Sequence, residues 1–225
     1  MKREWPQEIA RYTANLVTIY SEASKGDVAV GKRWYSDARK FARALARKHH
    51  VSVDIAAGVI AALSPGSEWT RNKANADEFL RVARICDSCA CDRFDLTTYG
   101  ARPLAKAWAI FQGAPIAQTL NGPKTVAFYR AIMGASTTDV VIDGHAKSAC
   151  LGVRIGNHDG RTQDGKRLTG GVKVEAHEYR HLEHAYRAAA EVVGLAPNDF
   201  QAVIWIAWKR FPVGHVVKPL VEIAA

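Results

Sequence analysis

Residues 119–152 read TLNGPKTVAFYRAIMGASTTDVVIDGHAKSACLG, and this stretch decides the fold. A short helical piece over 116–120 runs into Asn121-Gly122-Pro123, and a second helix follows through about Met133. Residues 139–142 (DVVI) are the most strand-like piece of the chain, and Asp143 then stands at the mouth of a further helix resuming near His145. A glycine turn between two helices exposes backbone N–H groups that hold a phosphate without reading base sequence. Lys124 opens the second helix, and Asp143 beyond the extended segment is expected to face the same cleft.

Outward from this stretch, helical periodicity dominates. Residues 36–49 place Ala38, Phe41, Ala42 and Leu45 on one face and Arg39, Arg43 and Arg47 on another, with Ser36 as the expected N-cap. Residues 53–63 (VDIAAGVIAAL) are apolar all round, which marks a fully buried helix, and Ser64-Pro65-Gly66 stops it. Further helices are expected over 70–85 with Thr70 as cap, from Pro103 to Gly113, over 176–193 and over 198–210. Residues 86–102 read as loop, and 154–174 as an exposed Gly-rich basic loop suited to contacting phosphates. Four residues of strand do not make a sheet, so the expected class is all-α.

The chain has 225 residues, with 31 Lys+Arg against 22 Asp+Glu and a formal net charge of +9. Such a chain buries a real core as one domain or two intimate lobes. Its 48% hydrophobic and 24% charged residues exclude disorder and fibrous repeats as the main description. No apolar run approaches the roughly 20 residues of a membrane span. The opening MKREWPQEIARY carries no apolar signal core, so a cytoplasmic protein is the expectation. Four cysteines in this length do not form a disulfide scaffold. The excess of positive charge favours an anionic partner such as nucleic acid.

The hairpin and the segment after it resemble the helix-hairpin-helix DNA glycosylase superfamily (HhH-GPD), with an endonuclease III-like core. Leu120-Asn121-Gly122-Pro123-Lys124-Thr125 matches the second half of the family's hairpin, and Ile142-Asp143-Gly144-His145 matches its aspartate segment at family-like spacing. Ala61-Ala62-Leu63-Ser64-Pro65, followed by Trp69, Asn72, Lys73 and Ala74, is similar to a segment on the family's DNA-facing side. Tyr99 and Lys106-Ala107 are similar to a weaker element before the hairpin. The resemblance covers roughly residues 51–152. Leu120 stands where the first hairpin glycine is expected, Ser148 where an arginine commonly follows the aspartate, and a C-terminal four-cysteine iron–sulfur loop is absent. These departures suggest a remote phage or bacterial branch with a changed substrate.

The resemblance implies a two-lobed helix-hairpin-helix glycosylase fold within one domain, 1–225, with one lobe over 51–142 and the other combining 1–50 with 143–225. It implies a monomer acting on duplex DNA, without cofactor, metal or membrane, that extrudes a nucleotide and excises a modified or damaged base. Asp143 would stabilise positive charge developing on the sugar, and Lys124 would attack C1′ to give a Schiff base, or Asp143 would instead activate water. Asn121, Gly122, Thr125, Lys73 and the Arg39/Arg43/Arg47 stripe would contact DNA. Trp34, Tyr35, Trp69, Ser64 and His145 would line the base pocket. Two other functions stand beside excision: exchange of a substituent on a hypermodified pyrimidine, and non-catalytic DNA binding.

Each of these residues also has a plainer reading. Asp143 is suited to capping a helix, Lys124 to a solvated first turn, and the arginine stripe to a solvated face. His145 suits a hydrogen-bonded core position, and Trp34, Tyr35 and Trp69 suit packing. Trp205 and Trp208 are expected in the core. His177, His181 and His184 recur at helical spacing without a matching carboxylate or cysteine cluster, so a solvated face is expected for them, and His158 lies in the basic loop. Cys86, Cys89, Cys91 and Cys150 count as four thiolates, but Cys150 falls in an expected apolar helix and the other three in an acidic loop, which argues against a closed tetrahedral zinc set.

Overall fold

A computed structural model of the chain describes residues 5–86, 101–155 and 173–219, and every statement below concerns those. They form ten α-helices and one isolated antiparallel bridge, Val153 with Val216, so the all-α class holds. None of these helices is long and apolar enough to cross a membrane. The chain divides into two compact units, Met1–Tyr35 with Thr137–Ala225, and Ser36–Ser136.

The first unit packs α1 (Trp5–Ser21) against α8 (Gly144–Leu151), α9 (Ala176–Val193) and α10 (Pro197–Arg210). Leu16, Ile19, Ile142, Tyr186, Phe200 and Trp208 are among the side chains that close its core. The sequence reading did not identify α1, and its buried face explains why. Thr13, Asn15 and Thr18 interrupt the apolar stripe yet are buried, because each has an acceptor. Thr13 and Thr18 bond back to Ile9 O and Ala14 O, and Asn15 Nδ2 donates to Cys150 O on α8.

α2 (Lys25–His49) contributes residues 25–35 to the first unit and 36–49 to the second. Its start corrects the expected cap at Ser36, which lies well inside the helix. Ser24 begins it instead: Ser24 Oγ accepts from Asp27 N at 3.1 Å, and Asp27 Oδ2 accepts from Ser24 N at 2.8 Å. Gly26 and Gly31 hid this first half, since glycine weakens a helical pattern. Gly31 is there for contact: a Cβ would lie 2.6 Å from Val203 Cα, so α2 and α10 meet backbone to backbone.

Residues 139–142 are extended but unpaired by any strand, correcting the expected strand. Side chains of α9 supply the missing ladder. Tyr179 Oη donates to Val140 O at 2.9 Å and accepts from Ile142 N at 3.3 Å, and Glu183 accepts from Val140 N. Val140 and Ile142 are thereby buried with both backbone groups of Val140 and the N–H of Ile142 satisfied.

In the second unit the apolar α3 (Val53–Ala62) is the centre, packed by α4 (Trp69–Ala83), α5 (Ala101–Phe111), α6 (Ile116–Leu120) and α7 (Pro123–Met133). Ser52 caps α3 by accepting from Ile55 N, and Ala56 through Ala62 are all buried, as its composition requires. Glu68, not Thr70, precedes α4, and its side chain makes no cap bond.

Candidate functional site

The second unit carries the hairpin. α6 ends at Asn121, whose φ of 47° is left-handed, and Gly122 follows in an extended conformation as the N-cap of α7. The left-handed residue is therefore the asparagine, a residue that tolerates this region better than most. Gly122 N–H turns inward to Leu120 O at 2.8 Å, so it does not face a ligand. Pro123 has no N–H, which leaves the N–H groups of Lys124 and Thr125 as the open donors of this helix start. Thr125 Oγ1 sits 3.1 Å from Gly122 O and 3.4 Å from Leu120 O, bracing the turn. Lys106 braces it from α5: Nζ donates to Leu120 O at 2.6 Å and to Asn121 Oδ1 at 2.9 Å. Lys124 is half-buried, with no ion pair or hydrogen bond from its side chain among the described residues.

The other elements of this unit sort the basic and aromatic candidates. Arg39 is committed to α7: Nε donates to Ile132 O at 2.8 Å, and its guanidinium fills the space over Gly134, which caps α7 at φ 65°. Arg43 and Arg47 are exposed. Trp69 packs edge-on to Phe41 and Phe128, with ring centroids 6.0 and 6.4 Å away, and Lys73 Nζ lies 5.7 Å from the Phe41 and Trp69 rings. Ser64 Oγ donates to Ala61 O at the end of α3, and Asn72 Nδ2 donates to Ile60 O. The stretch from Ala61 to Ala74 is thus an internally braced corner with a cation held on aromatic faces.

The first unit carries Asp143, half-buried at the N-cap of α8, with Oδ1 accepting from Ala146 N at 2.9 Å. Among the described residues no hydrogen bond reaches Oδ2. Three buried phenols lie within electrostatic reach of this carboxylate. Burial first, and the Asp143 charge among lesser causes, push Tyr35, Tyr179 and Tyr186 above the usual phenol value. Each phenol donates elsewhere: Tyr35 to Gln201 Oε1 at 2.8 Å, Tyr179 to Val140 O, and Tyr186 to Ala146 O at 3.3 Å. The carboxylate thus keeps an uncommitted oxygen beside groups that stay neutral.

Trp34 and Tyr35 lie inside α2, not before it as expected. Tyr35 is buried, whereas Trp34 is half-buried and edge-on to Trp205, over whose ring Lys209 Nζ sits at 4.1 Å. Trp205 is accordingly half-buried, while Trp208 is fully buried. His145 Nδ1 is 3.4 Å from Arg154 Nη1. His177 and His184 are exposed and His181 is half-buried along α9, and no metal-binding group of His, Cys, Asp or Glu occurs among the described residues. Cys86 is disulfide-bonded, and Cys150 is free and fully buried, its thiol pushed up by that burial. Cys89, Cys91, Tyr99, His158 and most of the 154–174 loop lie outside the described residues.

Sequence reasoning missed Arg154, buried beside His145, because it fell in a stretch read as exposed loop, and it missed His215, half-buried against Phe211. It also missed Ser148 as a hub: its hydroxyl donates to Val153 O and accepts from Trp208 Nε1 and Ile155 N. No curated protein and no solved structure matches the chain. Over residues 1–211 it matches the sequence profile of a family of unknown function, DUF7178, and it belongs to that family.

Proposed function

We propose that the chain is a DNA glycosylase of the helix-hairpin-helix type, holding duplex DNA through the hairpin and cleaving the bond between a base and C1′ of an extruded nucleotide. The observation that carries this reading is the order of elements at the quoted stretch. Two helices join through Asn121-Gly122, an extended segment follows, and Asp143 caps the next helix while retaining one free carboxylate oxygen. A carboxylate so held stabilises positive charge developing on the sugar as the base leaves with the bonding electron pair. The nucleophile at C1′ is Lys124 Nζ after loss of a proton, which displaces the base and then forms a Schiff base as the C1′–O4′ bond breaks and O4′ takes the second proton shed by nitrogen, or it is a water that gives up a proton to Asp143.

The cap bond to Ala146 favours a second reading, in which Asp143 is structural and the chain binds DNA without chemistry. Asp143→Asn separates the two, because asparagine caps a helix about as well as aspartate. The substitution is expected to keep the fold and duplex binding while base release falls by at least a hundredfold. Base release at the wild-type rate would leave only the structural role. Borohydride trapping with wild type and Lys124→Gln assigns the nucleophile: a covalent adduct that disappears in Lys124→Gln identifies the amine. The mass of the treated DNA distinguishes excision from exchange of a substituent on a modified pyrimidine.

A further inference from the structure

Arg154 is 8% exposed, and among the described residues no carboxylate meets its guanidinium. Its contacts lie along one edge: Nη1 donates to Ile155 O at 2.9 Å and lies 3.4 Å from His145 Nδ1. Nε is sealed from solvent without an acceptor, and none reaches Nη2. The Nε–Nη2 edge is the fork that grips an oxyanion with two parallel bonds. A buried guanidinium without a counter-charge carries an uncompensated desolvation cost, which a bound anion would offset.

A second orphan lies opposite. The bridge of Val153 with Val216 sets Arg154 across from His215, and Arg154 N donates to His215 O at 2.8 Å. Opposed positions of an antiparallel pair share a face. His215 stacks on Phe211 with centroids 4.4 Å apart, and its Nε2 is likewise sealed without a partner. Both residues are fixed in place, since the Ser148 hydroxyl ties Val153, Ile155 and Trp208 together. Among the described residues, two unsatisfied nitrogens on one face and a cation without a counter-ion define the same deficit, that of an anion.

We propose that the Arg154 fork and His215 Nε2 bind a phosphate oxyanion, with His145 flanking the guanidinium. The fork supplies two donors and the imidazole a third from a separate segment, which suits a tetrahedral group over a planar carboxylate. The source is a nucleic-acid backbone phosphate or a free phosphate ester. The site stands apart from the glycosylase reading, because it rests on none of the residues assigned to bond cleavage.

Thermal unfolding of the full chain in sodium phosphate, against sodium acetate and sodium chloride at matched pH and ionic strength, tests it. Phosphate is expected to raise Tm saturably, by roughly 5–10 °C at about one hundred times Kd. Arg154→Gln abolishes the rise, and His215→Phe, which keeps the ring stack on Phe211, weakens phosphate binding about tenfold. An equal rise in both variants, an equal rise with acetate, or no saturable rise in wild type overturns the proposal. If Arg154→Gln does not fold, His215→Phe decides. Binding of a short unmodified duplex names the source. A loss of tenfold or more in Arg154→Gln or His215→Phe identifies the nucleic-acid backbone, and unchanged duplex affinity beside a lost phosphate response identifies a free phosphate ester.

Discussion

Asp27 is the residue whose charge state matters most plainly for the first unit. It is buried at the start of α2, bonded to Ser24 N and Oγ, and paired with Arg210 from the last turn of α10. Burial by itself raises the carboxyl, and the Ser24 bonds and the Arg210 guanidinium outweigh it, holding Asp27 below the usual carboxylate value. A carboxyl lowered on folding stabilises above its unfolded value, and that stability is lost as pH falls through the lower, folded value. Asp77 and Glu178 act in the same direction, each held down against burial by hydrogen bonds: from Lys48 and His49, and from Lys147 with Glu175 N. Asp27→Ala is therefore expected to cost about 1–2 kcal/mol at pH 7, through the lost carboxylate bonds to Ser24 and the lost pair with Arg210. In urea denaturation the difference from wild type shrinks as the pH drops below about 4. A penalty that stays constant from pH 7 to pH 2 contradicts the assignment.

At the scale of the element, the hairpin depends on one unusual backbone position. Asn121 at φ 47° is held by Lys106 on its side-chain oxygen and by its own N–H to Ala117 O. Asn121→Gly is expected to change stability by less than 1 kcal/mol, since glycine enters this region freely but loses the Lys106 bond. Asn121→Val places a β-branched residue at positive φ and is expected to cost about 2 kcal/mol, with proteolysis appearing first between α6 and α7. Equal stability of the two variants in chemical denaturation counts against a strained turn. The sequence displayed the elements whose patterns are local. α3 is apolar throughout, α6 and α7 flank a Gly-Pro punctuation, Asp143 precedes α8, and α9 ends at Gly194. It did not display α1, whose buried polar residues find acceptors only after folding, nor the unpaired extension at 139–142, whose partners are α9 side chains. Asp143 was legible as a candidate because cap and motif coincide in one short stretch. The Arg154–His215 pair was not, because only the bridge from 153 to 216 brings them together.

At the scale of the whole molecule, the net charge of +9 becomes useful only where cations are not already spent. Along and beside α2 several are: Lys40 pairs with Asp37, Lys48 with Asp77, and Arg39 is fixed to the end of α7. Arg43 and Arg47 are exposed and make no ion pair among the described residues. On the proposed function they are the part of that stripe left to meet a phosphate backbone. If DNA contacts about five phosphates in all, log K falls with log salt at a slope near −4.5, a loss of roughly 500-fold between 50 and 200 mM salt. Arg43→Ala with Arg47→Ala is then expected to reduce that slope by about 2 and to weaken every duplex alike, since phosphate contacts carry no base information. The measurement is fluorescence anisotropy of labelled duplexes of unrelated sequence across that salt range. An unchanged slope in the double variant removes α2 from the DNA path and moves the work of the positive charge to the hairpin and to Arg154. A smaller slope together with unchanged base release at low salt assigns these arginines to holding the duplex, and leaves the proposed chemistry to Asp143.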